Sequence, residues 1–62
     1  MKDRIVIEHT DEMLEMFWCH EAVEVSQSLH CWEDKYIIDE ITYYVSGAIK
    51  NNHVLVEMET DQ

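Results

Sequence analysis

Residues 18–32, WCHEAVEVSQSLHCW, read as a chemical mirror: Trp-Cys-His at one end, His-Cys-Trp at the other, with Val25 at the centre. How this stretch folds decides the architecture of the whole chain. With the residues before it, Leu14, Trp18, Ala22, Val25, Leu29 and Trp32 recur at steps of four, four, three, four and three, the apolar face of one long helix. A strict heptad would put Glu21 and Ser28 in the seam, so the pattern suits globular packing better than a coiled coil. Thr10 or Asp11 is suited to cap the helix start, with Glu12 and Glu15 placing negative charge near its positive end. The weak point is between Ala22 and Ser28. There Val23, Val25, Ser26 and Ser28 are indifferent helix formers that could instead begin a strand.

Working outward, residues 4–8 (RIVIE) form a short β-branched run that reads as a strand, ended by His9 and Thr10. On the other side Asp34 can cap a second helix whose apolar face is Ile37, Ile38, Ile41, Tyr44, Val45, Ala48 and Ile49, ended by Asn51 and Asn52. Residues 53–58 then read as a second strand and residues 59–62 as a frayed acidic tail. The expectation is one domain over 1–62 of the α+β class, a two-stranded antiparallel sheet packed against a helical hairpin in the order β-α-α-β. If 22–28 is extended, the order becomes β-α-β-α-β. Trp18 and Ile41 lie at the centres of their stripes and are expected in the core.

The mirror invites a metal site built from Cys19, His20, His30 and Cys31. On a continuous helix the two cysteines would stand about 18 Å apart, too far to share one ion or a disulfide. Residues 21–29 contain no glycine, proline, asparagine or aspartate to turn the chain back. Adjacent Cys-His pairs also lack the gap usual between paired zinc ligands. The sequence therefore predicts free thiols and no metal or other cofactor.

A chain of 62 residues lies near the lower limit for a self-sufficient apolar core. Its formal net charge is −10, with fourteen carboxylates against Lys2, Arg4, Lys35 and Lys50. Such a balance repels nucleic acid and anionic membrane and favours basic partners. With no long apolar run to span a bilayer or act as a signal peptide, the expected location is the cytosol.

Enzyme constellations are missing from the sequence. The single glycine, Gly47, falls inside the second helical pattern and builds no phosphate-binding loop. Cys19 and His20 would diverge by about 100° on a helix, and their acidic neighbours disfavour a thiolate. The adjacent carboxylates Asp39 and Glu40 read as a solvated helix face, because so small a domain rarely encloses a cleft. A non-enzymatic role is expected. On the second predicted helix Tyr36, Asp39 and Tyr43 share the face opposite Ile41, with Glu40 at its edge, and tyrosine among carboxylates supplies contact area at low entropy cost. These four, with Glu12 and Glu15, are the candidate partner-binding residues.

In length, acidity, Tyr-carboxylate surface and lack of catalytic motifs the chain resembles the small acidic proteins of bacteriophages and other mobile elements, among them anti-CRISPR and antirestriction proteins that act as DNA mimics. The likeness is one of type across the whole chain, with no motif matching residue by residue. It implies an inhibitor that occupies a basic, nucleic-acid-binding surface of a host or defence protein, working in the host cytosol. The alternative is a structural subunit or homodimeric module in which Trp18 and Trp32 bury an oligomer interface and the acidic surface keeps the protein soluble.

Overall fold

The computed structural model describes residues 2–50 and 53–61. It holds one antiparallel sheet of five strands and one short helix: β1 (Lys2–Ile7), α1 (Asp11–Cys19), β2 (Glu24–Gln27), β3 (Cys31–Ile38), β4 (Ile41–Ala48) and β5 (Val54–Asp61). The strands are ordered β1-β5-β4-β3-β2, so the last four form a meander and the first pairs with the last. This overturns the helical hairpin on a two-stranded sheet. It overturns the β-α-β-α-β alternative as well, although the strand which that alternative begins within 22–28 has a counterpart in β2, Glu24–Gln27. Among the described residues no helix is long and apolar enough to cross a membrane.

The helix begins where the sequence places it. Thr10 is the N-cap, its Oγ1 accepting from the Met13 N–H at 3.2 Å, with Asp11 and Glu12 in the first turn. It ends early, at Cys19, because the following residues gain more by pairing with β3 than by continuing a helix they favour poorly. The cap residue His20 turns extended, and its N–H closes on the Phe17 carbonyl at 3.0 Å. Val23 then donates to the Lys35 carbonyl at 2.8 Å, the first contact of the chain with the sheet edge it goes on to form.

The turn between β2 and β3 contains no glycine, proline, asparagine or aspartate and is built on Ser28. Ser28 N–H donates to the Cys31 carbonyl at 2.8 Å, while Ser28 Oγ accepts from His30 N–H at 3.3 Å and Cys31 N–H at 3.2 Å. A serine hydroxyl thus does locally what a backbone carbonyl does in an ordinary turn.

The expected second helix is a β-hairpin. Ile38 pairs with Ile41, leaving Asp39 and Glu40 as a two-residue loop, and both have positive φ, 52° and 68°. Two left-handed central residues are the mark of a type I′ turn, whose twist matches that of the flanking strands. The predicted end of that helix, Asn51-Asn52, lies outside the described residues. The predicted tail is not frayed over 59–61, which belong to β5 and pair with residues 2–4, while Gln62 lies outside the described residues.

Strand alternation sorts side chains onto two faces. One carries Ile5, Ile7, Met58, Val56, Val54, Tyr43, Val45, Trp32, Tyr36 and Ile38 in register. Leu14 and Phe17 of the helix pack on it, forming a core with Tyr36, Val45 and Val56 in which Phe17, Val45 and Val56 are fully enclosed. The expected core centres are displaced. Trp18 is 54 % exposed and Ile41 39 %, while Phe17, the neighbour of Trp18, is 0 % exposed. Arg4, Val6, Glu33, Lys35, Tyr44, Ser46, Glu57 and Glu59 share the other face, on which no helix lies.

Candidate interaction surface

The six candidate partner residues do not form one face. Tyr36 is 3 % exposed, its ring 5.5 Å from that of Phe17, and it belongs to the core rather than to a docking surface. Tyr43, its cross-strand partner, is half-buried with its ring 5.1 Å from Phe17. Asp39 and Glu40 are exposed at the tip of the β3–β4 hairpin. Glu12 and Glu15 are exposed on the outward side of α1. Helix spacing puts the Cβ atoms of the last pair about 5–6 Å apart.

Among the described residues Asp11, Glu12, Glu15, Glu21, Asp39 and Glu40 are exposed and form no ion pair. Arg4 does form one, on the open face of the sheet. Its Nη1 donates to Glu33 Oε2 at 3.2 Å, and the guanidinium carbon lies 3.5 Å above the centre of the Tyr44 ring. Lys35 approaches the same ring at 5.9 Å. The Tyr44 hydroxyl donates to Glu59 Oε2 at 2.7 Å, and that bond, then burial, raises its pKa against the opposing pull of Arg4. Burial, then the Asp34 charge, raises the pKa of Tyr36. Arg4 is thus bound within the protein, whereas the carboxylates of α1 and the hairpin tip face solvent with no cation of their own.

A second feature lies where α1 ends over the sheet. Trp18 and Trp32, together with Ala48, Ile49, His53 and Val54, line a groove of ≈ 390 Å³, and no carboxylate is among the described lining residues. Trp32 pairs across the strands with Gly47, and a Cβ at Gly47 would stand 2.7 Å from the indole Cζ2 and 3.0 Å from the His53 carbonyl oxygen. The only glycine in the chain therefore lets Trp32 lie flat on the sheet and fixes one wall of the groove. Sequence reading treated both tryptophans as members of one helical stripe and missed the groove. The signal was a lone glycine inside a β-branched and aromatic run, which marks a close approach in a strand.

The mirror does not close into a metal site. Cys19 ends the helix and Cys31 begins β3, so the continuous helix that would hold them about 18 Å apart does not exist. Both are free, exposed thiols, and among the described residues no three His, Cys, Asp or Glu side chains are grouped to hold an ion. No protein-family model matches the chain, and no curated protein or solved structure is significantly similar to it.

Proposed function

We propose that this is a non-enzymatic binding protein that occupies a basic surface of another protein, one that otherwise grips nucleic acid. The observation that carries the reading is the set of exposed carboxylates without ion pairs on α1 and at the hairpin tip, in a chain of net charge −10. Such groups offer charge-assisted bonds to Arg and Lys side chains that would otherwise hold phosphates. Glu12 and Glu15 on the helix contribute more than Asp39 and Glu40, because a rigid helix fixes their spacing and Trp18 on the same helix adds desolvated contact area. Tyr36 serves the fold rather than the partner.

The test is capture of partners from lysate, followed by competition with duplex DNA for the captured protein. Glu12→Lys/Glu15→Lys should keep the wild-type melting temperature and lose binding by ten-fold or more, and wild-type binding should weaken as salt rises. Binding indifferent to both the substitutions and salt would leave the acidic surface as a solubility device.

A further inference from the structure

We propose that the groove between Trp18 and Trp32 receives an arginine side chain of the partner, an inference that rests on the basic-partner reading and names the residue type it captures. Both indoles line the groove, Trp32 lying close against Gly47 and Trp18 half exposed. Glu15 stands three residues before Trp18, which on a helix places the two side chains next to each other. Aromatic faces beside a carboxylate suit a planar cation. The guanidinium stacks on rings and pairs with carboxylates in a plane, whereas an ammonium is a strongly hydrated point charge.

The protein already satisfies one arginine in this way. Arg4 lies 3.5 Å over the Tyr44 ring with its Nη1 on Glu33. On the helix side of the sheet the aromatic and carboxylate parts of that arrangement, Trp18 and Glu15, are present and exposed without a cation. Charge selects the occupant. A protein of net charge −10 repels a second copy of itself and draws basic surfaces, and the exposed Glu15, outside the groove lining, can pair with the guanidinium from the solvent side.

Hexa-arginine and hexa-lysine carry the same charge and separate this site from general attraction. Calorimetric titration of the full chain should show hexa-arginine binding about three- to ten-fold more tightly, with a change in tryptophan emission that hexa-lysine does not produce. Trp18→Leu, at a half-exposed position, should bring the two peptides to the same affinity, and Glu15→Gln should narrow the gap. Equal affinities in the wild type, or a preference that survives Trp18→Leu, would overturn the arginine site and leave the acidic-surface reading standing. Failure of both peptides to bind would overturn both readings. Sedimentation showing a dimer that Trp18→Leu dissociates would mean that a second copy fills the groove, and would also overturn the proposal.

Discussion

Tyr43 and Tyr44 are neighbours in sequence, yet they are covered by opposite means. Tyr43 turns to the helix-covered face and packs beside Phe17, whereas Tyr44 turns to the open face and is only 7 % exposed there. Its cover is Arg4 stacked on the ring, with Glu33 and Glu59 bonded around it. One face is sealed by apolar contact and the other by charged side chains lying flat over an aromatic. The first kind of burial is driven by removing apolar surface from water; the second lets long side chains cover a ring while their charged ends stay wet. The open face thus covers its large aromatic side chain without a second helix.

The largest break in that comparison should come from the apolar side. Phe17→Ala removes the one fully enclosed helix side chain and should cost about 3–5 kcal/mol, comparable to the whole stability of a domain this size. Trp18→Ala, one residue on, should cost clearly less, about 1–2 kcal/mol, because half of Trp18 is already in water. Denaturant melts of the two variants decide the point, and equal losses would mean that the helix is rotated from its described packing.

Gly47→Ala comes next. The added methyl meets both the Trp32 indole and the His53 backbone oxygen, and only the indole can swing away. A loss of about 1–3 kcal/mol is expected, with a changed tryptophan emission spectrum. In a Trp32→Val background the same substitution should cost clearly less, and a cost unchanged there would locate the clash in the backbone instead.

On the open face the effects should be smaller and conditional on the solvent. Arg4→Ala uncovers Tyr44 and should cost about 1 kcal/mol, reduced in high salt, because the Arg4–Glu33 pair is itself two-fifths exposed. The Tyr44 phenol adds a pH dependence with a definite sign. Its folded pKa is raised, so its contribution is complete below the unfolded tyrosine value of about 10 and is lost as pH climbs from there through the folded value. Tyr36 is raised too and acts in the same direction. Midpoints measured from pH 8 to 11 should therefore fall less steeply in Tyr44→Phe than in the wild type, without becoming flat; parallel curves would show that Tyr44 is not held by Glu59.

The sequence made parts of this arrangement legible. A helix cap at Thr10 or Asp11, the first strand, the final strand through Met58 and the doubtful character of 22–28 all follow from local chemistry, and each has its counterpart in the structure, the cap at Thr10. Residues 36–45 were misread for a physical reason. A strand with one face on a core alternates apolar and polar residues, but here both faces need large side chains, so Ile37-Ile38 and Tyr43-Tyr44-Val45 appear as apolar runs that fit a helical stripe equally well. Their composition, rich in isoleucine, threonine, tyrosine and valine, favoured a strand more than their spacing favoured a helix. The error carried into the site, because a helical face groups Tyr36, Asp39, Glu40 and Tyr43, whereas a hairpin sends the tyrosines to the core side and the carboxylates to the tip. Glu12 and Glu15 were placed correctly as exposed helix residues because their helix was recognised from its cap.

The hairpin tip holds the two faces in their assignment. Asp39 and Glu40 fix the register in which Ile38 meets Ile41, and a slip of one residue would exchange Tyr43 for Tyr44 beneath the helix. Yet the turn is built from residues that resist it. A side chain at positive φ costs roughly 1–2 kcal/mol relative to glycine in the folded state, aspartate tolerating it better than glutamate, and Glu40 is the more left-handed of the two at 68°. Glycine there would relieve that strain, would lose about 0.5–1 kcal/mol of it to its greater freedom when unfolded, and would take one carboxylate from a crowded acidic surface. Glu40→Gly should therefore stabilise the protein by about 0.5–1 kcal/mol in chemical denaturation, while Glu40→Val, β-branched at the same φ, should destabilise it. If both substitutions lower stability equally, the carboxylate of Glu40 rather than its backbone is what the tip requires, and the register that separates the two tyrosines is set from within the strands.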